Sequence, residues 1–429
     1  MNTISRRSAA SNAWGSALAG LALFTGSAAA QTAPDPAPPP LDMPTAIQNG
    51  APIFEIRSRY ETVSQSGVND AEALSVRTRL GWQTAKWENL VGLIEFEDVR
   101  QLGGAHYNDG VPPAEPYAAI TDPDVTELNR LQLTWTPTEK ITATIGRQRI
   151  NLDDQRFVGA VAWRQDEQTF DAVKFDFDLG RLDVTYAYLG RVNRIFAEDL
   201  DWETDTHLLN ASYTVADPLK ITTFAYAMDF TKPAAAATAN LSNFTYGARV
   251  TGNTWAGRFK LNYAATYATQ SDYGSSLVTY DADYLAAETS ITLGPTTARL
   301  AYESLEGEGA NRRFITPLAT LHAFQGWSDA FIANGAKTPN DGIDDLNASI
   351  VINPRWRKDH LFNINLVARY HDFEAQRTGA DLGDEINLSA SAQITRRLGW
   401  IVKWADYDGP GGAAPADRTK TWVGLEFRL

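Results

Sequence analysis

The strongest constraint on this chain is a two-residue alternation of apolar and polar side chains along most of its length. In the segment RFKLNYAATY, from Arg258 to Tyr267, aromatic or aliphatic residues alternate with charged or small polar ones. The segments LFNINLVARY, EINLSASAQI and LSVRTRLGW repeat the pattern. Because successive side chains of a β-strand point to opposite faces, this period predicts strands with one apolar face. We therefore predict an all-β fold.

Eighteen segments of this kind can be counted, and the connections between them alternate in length. The predicted strands are centred near Arg57, Arg79, Ile94, Leu131, Thr144, Val173, Val184, Leu209, Thr223, Tyr246, Leu261, Ala287, Leu300, Ile350, Leu366, Ser391, Val402 and Leu425. Every second connection is short: AKWEN, TPTEK, LGR, ADPL, GNT, LGPT, NPRWRKD and RRLG. Most of the others are longer, and they cover residues 102–122, 151–163, 194–202, 231–239, 305–344, 373–381 and 408–416.

Two classes of loop length are typical of a transmembrane β-barrel of the bacterial outer membrane, with short periplasmic turns and long extracellular loops. We predict a single antiparallel barrel of about 18 strands over residues 51–429, in contact with outer-membrane lipid. A soluble β-sandwich or large soluble barrel would also alternate, but it gives no reason for the two loop classes. The mean hydropathy of −0.30 fits a barrel, because only every second strand residue faces lipid.

The N-terminal region predicts export. Arg6 and Arg7 precede a short apolar stretch, residues 17–24, and three alanines end at Ala30. This is the pattern of a cleaved signal peptide over residues 1–30, and residues 31–50 then form a proline-rich periplasmic leader. The chain has a net charge of −14, which argues against nucleic acid as a partner, and no cysteine, which excludes disulfides and thiolate metal sites.

The chain ends in TWVGLEFRL, which places Val423, Leu425, Phe427 and Leu429 on one face. This resembles the terminal strand signal that the barrel-assembly machinery reads. Tryptophans near strand ends suit the aromatic girdles at the two membrane interfaces. These candidates are Trp87, Trp135, Trp202, Trp255 and Trp400.

If the apolar faces meet lipid, the polar faces line the lumen. Cations on these faces are Arg57, Arg59, Arg77, Arg79, Arg130, Lys174, Arg191, Arg249, Arg258, Lys260, Arg299 and Arg369. Carboxylates share the same faces, among them Glu55, Glu61, Glu95, Glu97, Asp176 and Glu303. Two interpretations stand side by side: cross-strand ion pairs that stiffen the lumen, or a ring of guanidinium groups that favours anions.

The segment from Arg147 to Phe177 combines charge with an apolar strand. Arg147 and Arg149 share the apolar phase of Ile145, and arginines facing lipid are costly. We therefore expect a β-bulge at Gly146 or an exit from the bilayer there. The following loop, 151–163, carries Arg156 and is expected to fold inward and pair with lumen charges.

Two segments, GRQRINLDDQRFVGAVAWRQDEQTFDAV and RRFITPLATLHAFQGWSDAF, resemble signature segments of the alginate-export family of Gram-negative outer-membrane barrels. The resemblance covers nearly the whole chain after the predicted signal peptide, and it implies an 18-stranded barrel with an arginine-lined pore. It also implies the residues that would contact an anionic chain: Arg77, Arg79, Arg130, Arg147, Arg149, Arg156 and Arg164. The family's exporter closes its periplasmic mouth with a long late turn, whereas the late turns here, NPRWRKD and RRLG, are short.

We therefore expect a channel for an anionic polysaccharide or oligosaccharide, with a weakly selective porin for small solutes as the alternative. The longest outer connection, Phe314 to Ile343, is either a loop that narrows the mouth or a surface loop. None of the five histidines sits in a recognisable serine–base motif, so no enzyme activity is predicted. No cofactor or metal is predicted either, although bound calcium near Asp341 and Asp345 stays open.

Overall fold

Eighteen strands close into one antiparallel sheet in which each strand pairs with the next along the chain. The computed structural model describes residues 42–196, 198–232, 240–333, 336–354, 362–411 and 415–429. Within these ranges the last strand pairs with the first, from Glu55 opposite Arg428 to Gln65 opposite Arg418, so the sheet is a closed barrel. The predicted signal peptide and residues 31–41 of the predicted leader lie outside the described residues.

The barrel strands are β1 (Ala51–Gln65), β2 (Ala71–Gln83), β3 (Leu90–Gln101), β4 (Val125–Thr138), β5 (Ile141–Gln148), β6 (Thr169–Asp178), β7 (Leu182–Asn193), β8 (Trp202–Ala216), β9 (Leu219–Lys232), β10 (Asn243–Ala256), β11 (Phe259–Asp272), β12 (Asp281–Leu293), β13 (Thr296–Leu305), β16 (Ile343–Ile352), β17 (Phe362–Glu374), β18 (Asp381–Gln393), β19 (Leu398–Asp408) and β20 (Arg418–Arg428). A small hairpin, β14 (Gly307–Gly309) with β15 (Arg312–Arg313), lies inside the longest loop. Two short 3₁₀ helices cover Glu198–Leu200 and Leu321–Ala323. Each of the eighteen predicted centres falls within one of the eighteen barrel strands, so the predicted fold class is confirmed.

A short helix, α1 (Met43–Gln48), precedes the barrel and was missed by the sequence analysis, which treated this region as part of the leader. The Asp42 carboxylate caps it by accepting a hydrogen bond from the Thr45 amide at 2.8 Å. The indole nitrogen of Trp82 donates to the Ile47 carbonyl at 2.8 Å, which ties α1 to the end of β2. Among the described residues, no helix is long and apolar enough to cross a membrane.

The outer face of the barrel carries the apolar residues that the alternation predicts. Leu80, Phe96 and Ile350 are each about half exposed, and Val423 and Leu425 on β20 behave in the same way. Exposed apolar residues at every second position of paired strands form the lipid-facing surface.

The tryptophan girdle was predicted only in part. Trp135 lies on the outer face and is 49% exposed. Trp202 is buried and shares its phase with the buried, inward residues Thr204 and Thr206, so its assignment to the outer girdle is wrong. Trp255 pairs with Lys260 in the register of inward residues, so it lies at the rim of the inner face.

The inner face is not polar all round, and this departs from the expectation that polar faces line the lumen. On β7 to β13 the inward positions are largely apolar or aromatic and are buried against the loops. They include Leu189, Leu208, Phe224, Tyr226, Met228, Phe230, Ala268, Tyr284 and Leu305. One side of the lumen therefore contains a hydrophobic core, and the other carries most of the buried charges.

Phe157 lies at the centre of this core. Its ring is 4.9 Å from that of Phe224, 5.4 Å from Tyr284 and 6.2 Å from Phe314. Phe224 and Tyr284 belong to the barrel wall, and Phe314 belongs to the longest loop. The contacts of Phe157 therefore attach its own loop to the wall on one side and to the longest loop on the other. Offset and edge-to-face ring packing at such distances stabilises buried aromatic clusters.

We expect Phe157→Ala to weaken the docking of this loop by about 3–5 kcal/mol, the usual cost of removing a buried phenylalanine ring. The barrel strands should stay intact, because their hydrogen bonds do not involve this side chain. The measurement is limited proteolysis of the refolded protein, with cleavage expected within 149–168. Leu277→Ala, at a residue that is 66% exposed in another loop, is the matched control and should leave the pattern unchanged. Equal protection of both variants would contradict the role of Phe157.

Candidate functional site: the lumen and its inserted loops

Two extracellular loops fold into the lumen. We call residues 149–168 the first inserted loop and residues 306–333 with 336–342 the second inserted loop. Residues 156–160 and 163–168 of the first and 313–320 and 325–331 of the second are buried. The loops also touch each other: the Gly159 amide donates to the Leu318 carbonyl at 2.8 Å, and Val158 and Leu318 form a β-bridge. The inward folding predicted for 151–163 is confirmed, and so is the interpretation of the longest loop as one that narrows the lumen.

On β1, two arginines hold the backbone of the first inserted loop. Arg57 donates to the Ala162 carbonyl at 3.0 Å and to the Gln165 side chain at 2.9 Å. Arg59 donates to the Trp163 carbonyl at 2.6 Å. These predicted lumen residues therefore do face inward, but their donors are used to fix a loop.

Four more of the predicted arginines pair with carboxylates of the wall or the first inserted loop. Arg77 pairs with Glu55, and Arg79 pairs with Glu97 and, at 3.2 Å, with Glu167. Arg130 is 2.6 Å and Arg149 is 3.4 Å from the Glu95 carboxylate. The structure brings these cations together on one side of the lumen, as a ladder of ion pairs between strands and loop.

Asp122, at the end of the loop that follows β3, is a buried acceptor for several groups. Its carboxylate pairs with Arg59, lies 3.6 Å from Arg164 and accepts from the Gln165 amide at 2.9 Å. Arg164 also lies 3.2 Å from Glu61 on β1. Removing one partner of such a buried network leaves an uncompensated charge, which is strongly destabilising.

Glu303 on β13 joins both inserted loops to the wall. It accepts from Arg156 of the first loop at 2.6 Å, from the Tyr284 hydroxyl at 2.8 Å and from Gln325 of the second loop. The Arg156 guanidinium also lies 4.7 Å from the Phe324 ring centroid. Arg156 is thus inside the lumen, as predicted, and its charge is paired with Glu303.

A partly open cavity of about 490 Å³, open solvent included, lies between the second inserted loop and the wall from β10 to β17. Its lining includes Arg249, Arg299 and Arg369, together with Asp154, Glu288, Glu303 and Asp345. Arg249 is 2.7 Å from Asp154, and Arg299 is 2.6 Å from Glu288. Elsewhere on the inner face, Lys174 is 2.5 Å from Asp176, and Lys260 keeps the inward phase of β11. The cavity is therefore lined by cations and carboxylates in nearly equal number.

Three predicted lumen residues lie elsewhere. Arg147 is in register with the outward Leu131, and its guanidinium binds Asp171 at 2.8 Å on the outer face, at the extracellular end of β5. The pairing of β5 with β4 and β6 runs through Gly146 without a register shift, so the expected bulge is absent and Asp171 compensates the outward charge. Arg258 is exposed in the short turn between β10 and β11, where its guanidinium lies against Phe259. Arg191 is in register with the outward Asp171 and lies 2.9 Å from Asp201, so it is on the outer face as well. None of the three side chains lines the pathway.

A buried lysine cluster was missed by the sequence analysis. The Lys403 ammonium on β19 lies 3.8 Å from the ring centroid of Trp163, 4.0 Å from Trp327 and 5.2 Å from Trp422. The same ammonium is 2.7 Å from Nε2 of His322. The cluster joins the first loop, the second loop and the wall, and its members are too far apart in sequence for a motif to reveal it.

Asp329 of the second inserted loop completes this cluster. Its carboxylate binds His322 Nδ1 at 2.9 Å and Lys337 at 3.1 Å, and Lys420 of β20 lies 3.6 Å away. Burial would raise the pKa of Asp329, but His322, Lys337 and Lys420 hold it well below its usual range. Burial, reinforced by the Lys403 ammonium, holds the pKa of His322 well below the usual range of histidine.

In the described part of the chain, no three His, Cys, Asp or Glu side chains converge as metal ligands would. Asp341 pairs with Arg377, and Asp345 lies 2.8 Å from His371. The two aspartates considered as calcium ligands therefore bind different side chains and do not converge on one site.

The sequence matches the family described as alginate export over residues 53–294, which is more than half of the chain. The chain belongs to the alginate-export family. The second signature segment, which begins at Arg312, lies beyond the matched range. No curated protein sequence matches the chain.

Several solved structures share the fold at low identity. OccAB2 of Acinetobacter baumannii has a TM-score of 0.70 at 15% identity, covering 90% of this chain and 98% of its own. OpdO of Pseudomonas aeruginosa has a TM-score of 0.68 at 13% identity, with the same coverage. OpdK of Pseudomonas aeruginosa, crystallised with vanillate, has a TM-score of 0.65 at 12% identity, covering 89% and 99%. Family and fold together define an outer-membrane β-barrel channel, a type of protein distinct from the enzymes.

We expect the outer and inner arginines to differ in their effect on ion selectivity. Arg299→Gln removes a cation from the cavity and should lower the anion-to-cation permeability ratio roughly twofold, because one charge at ~8 Å in water shifts anion and cation in opposite directions by ~0.5 kcal/mol each before salt screening reduces the effect. Arg147→Gln, on the outer wall, is the control and should leave the ratio unchanged. The measurement is the reversal potential of each variant in a planar bilayer under a salt gradient. A shift with Arg147→Gln alone would contradict the assignment of faces.

Proposed function

We propose that this outer-membrane channel is a narrow diffusion path for small polar solutes rather than an open conduit for a polymer. The observation that carries the proposal is the position of the two inserted loops, which fill much of the lumen and are held there by buried ion pairs. A solute must pass beside them, through spaces such as the cavity beneath Phe324 and Gln325.

The charges of the lumen favour weak selectivity between anions and cations. Among the described residues, at least ten of the predicted cations on the inner face have a carboxylate within 4.0 Å: Arg59, Arg77, Arg79, Arg130, Arg149, Arg156, Arg164, Lys174, Arg249 and Arg299. Paired charges cancel most of their field over distances comparable with the Debye length. The interpretation as cross-strand ion pairs therefore explains these arginines better than a bare cationic ring.

Small solutes with a carboxylate fit this path. Arg249, Arg299 and Arg369 all border the cavity, and a guanidinium can exchange one carboxylate partner for another because the bidentate geometry is the same. The structural neighbour OpdK was crystallised with vanillate, a small organic anion. We propose small acidic solutes as one class that this channel passes.

An anionic polysaccharide or oligosaccharide is the second candidate. The family description, alginate export, favours it, as do the arginines on the inner face. A polymer would need a continuous bore, so this function requires both inserted loops to withdraw. We also propose that the C-terminal strand, β20, is the segment that the barrel-assembly machinery recognises.

The test is conductance and selectivity of the refolded protein in planar bilayers, combined with swelling of proteoliposomes in sugars of increasing length. We expect an anion-to-cation permeability ratio within about threefold of unity, since the lumen charges are paired. We also expect permeation of monosaccharides and exclusion of longer oligosaccharides.

A deletion that shortens the second inserted loop is the companion variant, and it should admit longer sugars. Strong anion selectivity, with current block by alginate oligosaccharides in the intact protein, would favour the polymer candidate. Absence of conductance under every condition would contradict a channel for small solutes.

A further inference from the structure

Beside a charged Lys403, the contacts of His322 require a neutral imidazole. Nε2 faces the Lys403 ammonium at 2.7 Å and must accept its proton in a hydrogen bond, since the ammonium has no lone pair. Nδ1 carries the remaining ring proton and donates it to Asp329 at 2.9 Å. A second ring proton, on Nε2, would point at the ammonium and remove the acceptor. Protonation of this one ring therefore breaks the link between the second inserted loop and β19.

The ring also supports the first inserted loop. Trp163 stacks on the His322 ring at 4.9 Å with an angle of 4° between the planes, and Trp422 of β20 meets the same ring edge-on at 5.6 Å. The side chains of Trp163, His322 and Trp327 thus surround one ammonium, although they come from two loops. Loss of the hydrogen bond between His322 and Lys403 would weaken the attachment of both loops to the wall.

We propose that His322, Lys403 and Asp329 form a pH-sensitive latch that holds both inserted loops in the lumen at neutral pH and releases them on acidification. This inference rests on the proposed function, because the latch controls a solute path that must exist.

The charges that face the cluster oppose an added proton. They are Arg59 and Glu61 of β1, Asp122, Arg164 of the first loop, Asp329 and Lys337 of the second loop, Arg369 of β17, Glu385 of β18, Lys403 of β19, and Arg418 and Lys420 of β20. Seven of these groups are cations and four are carboxylates. Protonation of the carboxylates at lower pH would remove negative charge from the cluster. It would therefore favour release of the loops, as protonation of His322 does.

The backbone beside the latch is fitted to the wall. The Glu385 carboxylate accepts from the Ser328 amide at 2.9 Å, next to Asp329. Gly326 has a φ of +77°, and a Cβ there would lie 2.1 Å from Glu385 Oε2. Only glycine allows this approach, so the loop is built to dock at one place rather than to rest loosely.

The sign of the pH effect follows from the lowered pKa of His322 in the docked loop. In a released loop the ring would titrate near its ordinary value of about 6.5. The docked state is therefore favoured fully above that value and loses stability as the pH falls below it. With one proton involved, the ratio of released to docked protein rises about tenfold per pH unit between the two pKa values.

The experiment is single-channel recording of the refolded full-length chain from pH 8 to pH 4, with the time spent in a larger-conductance state as the readout. We expect the wild type to gain about tenfold in the ratio of open to closed time per pH unit below about 6.5. His322→Gln keeps a neutral acceptor but cannot titrate, so its ratio should stay flat from pH 8 to about pH 5, above the range in which free carboxylates gain protons. His207→Gln, at a histidine on the outer face, is the matched control and should respond like the wild type.

Lys403→Met provides a second variant, because it removes the ammonium and should raise the open ratio already at neutral pH. Heat-modifiable migration on gels checks that each barrel has folded. An acid response above about pH 5 that survives in His322→Gln, or a wild type that conducts without any response, overturns the latch and leaves the proposed channel intact. The proposed function itself is contradicted if the folded wild type shows no conductance at any pH and Lys403→Met shows none either.

Discussion

The structure depends on the need of every strand in a lipid bilayer to pair along both edges, since hydrocarbon offers no other partner for backbone N–H and C=O groups. The pairing of β1 with both β2 and β20 satisfies this need by closure. Closure fixes the register, and the register decides which side chains meet lipid and which meet the lumen. Eighteen strands enclose more space than their own side chains can fill, so the two inserted loops complete the interior.

The inserted loops exclude water from charged side chains in the lumen. This loss of hydration explains why these charges are paired. An isolated buried ion costs several kcal/mol, whereas a pair with further hydrogen bonds recovers much of this. Glu303 illustrates the solution, because it serves Arg156, Tyr284 and Gln325 from three different segments. The first role of the arginines is thus to hold the inserted loops in the lumen. The arginines beside the cavity can also attract solutes.

Much of the fold could be predicted from the sequence, because strand alternation and loop length are local properties. The interior could not, because its contacts join distant residues. The outward phase of Arg147 was visible, but its partner Asp171 belongs to the next strand and required the register. Trp202 was taken for a girdle residue because nothing local distinguishes an aromatic that faces lipid from one that packs on Phe230 inside. Lys403 and His322 are 81 residues apart and gave no signal at all.

The same long-range contacts explain why the loops can be both firmly seated and removable. Apolar packing around Phe157 holds the first loop without regard to pH, because it involves no titratable group at its centre. The cage of Trp163, Trp327 and Trp422 instead stabilises a cation, and its attraction for Lys403 depends on where the neighbouring protons sit. The inserted loops are thus held by one contact that does not respond to pH and by one that does. A single protonation can therefore change the position of the loops while the eighteen strands stay closed.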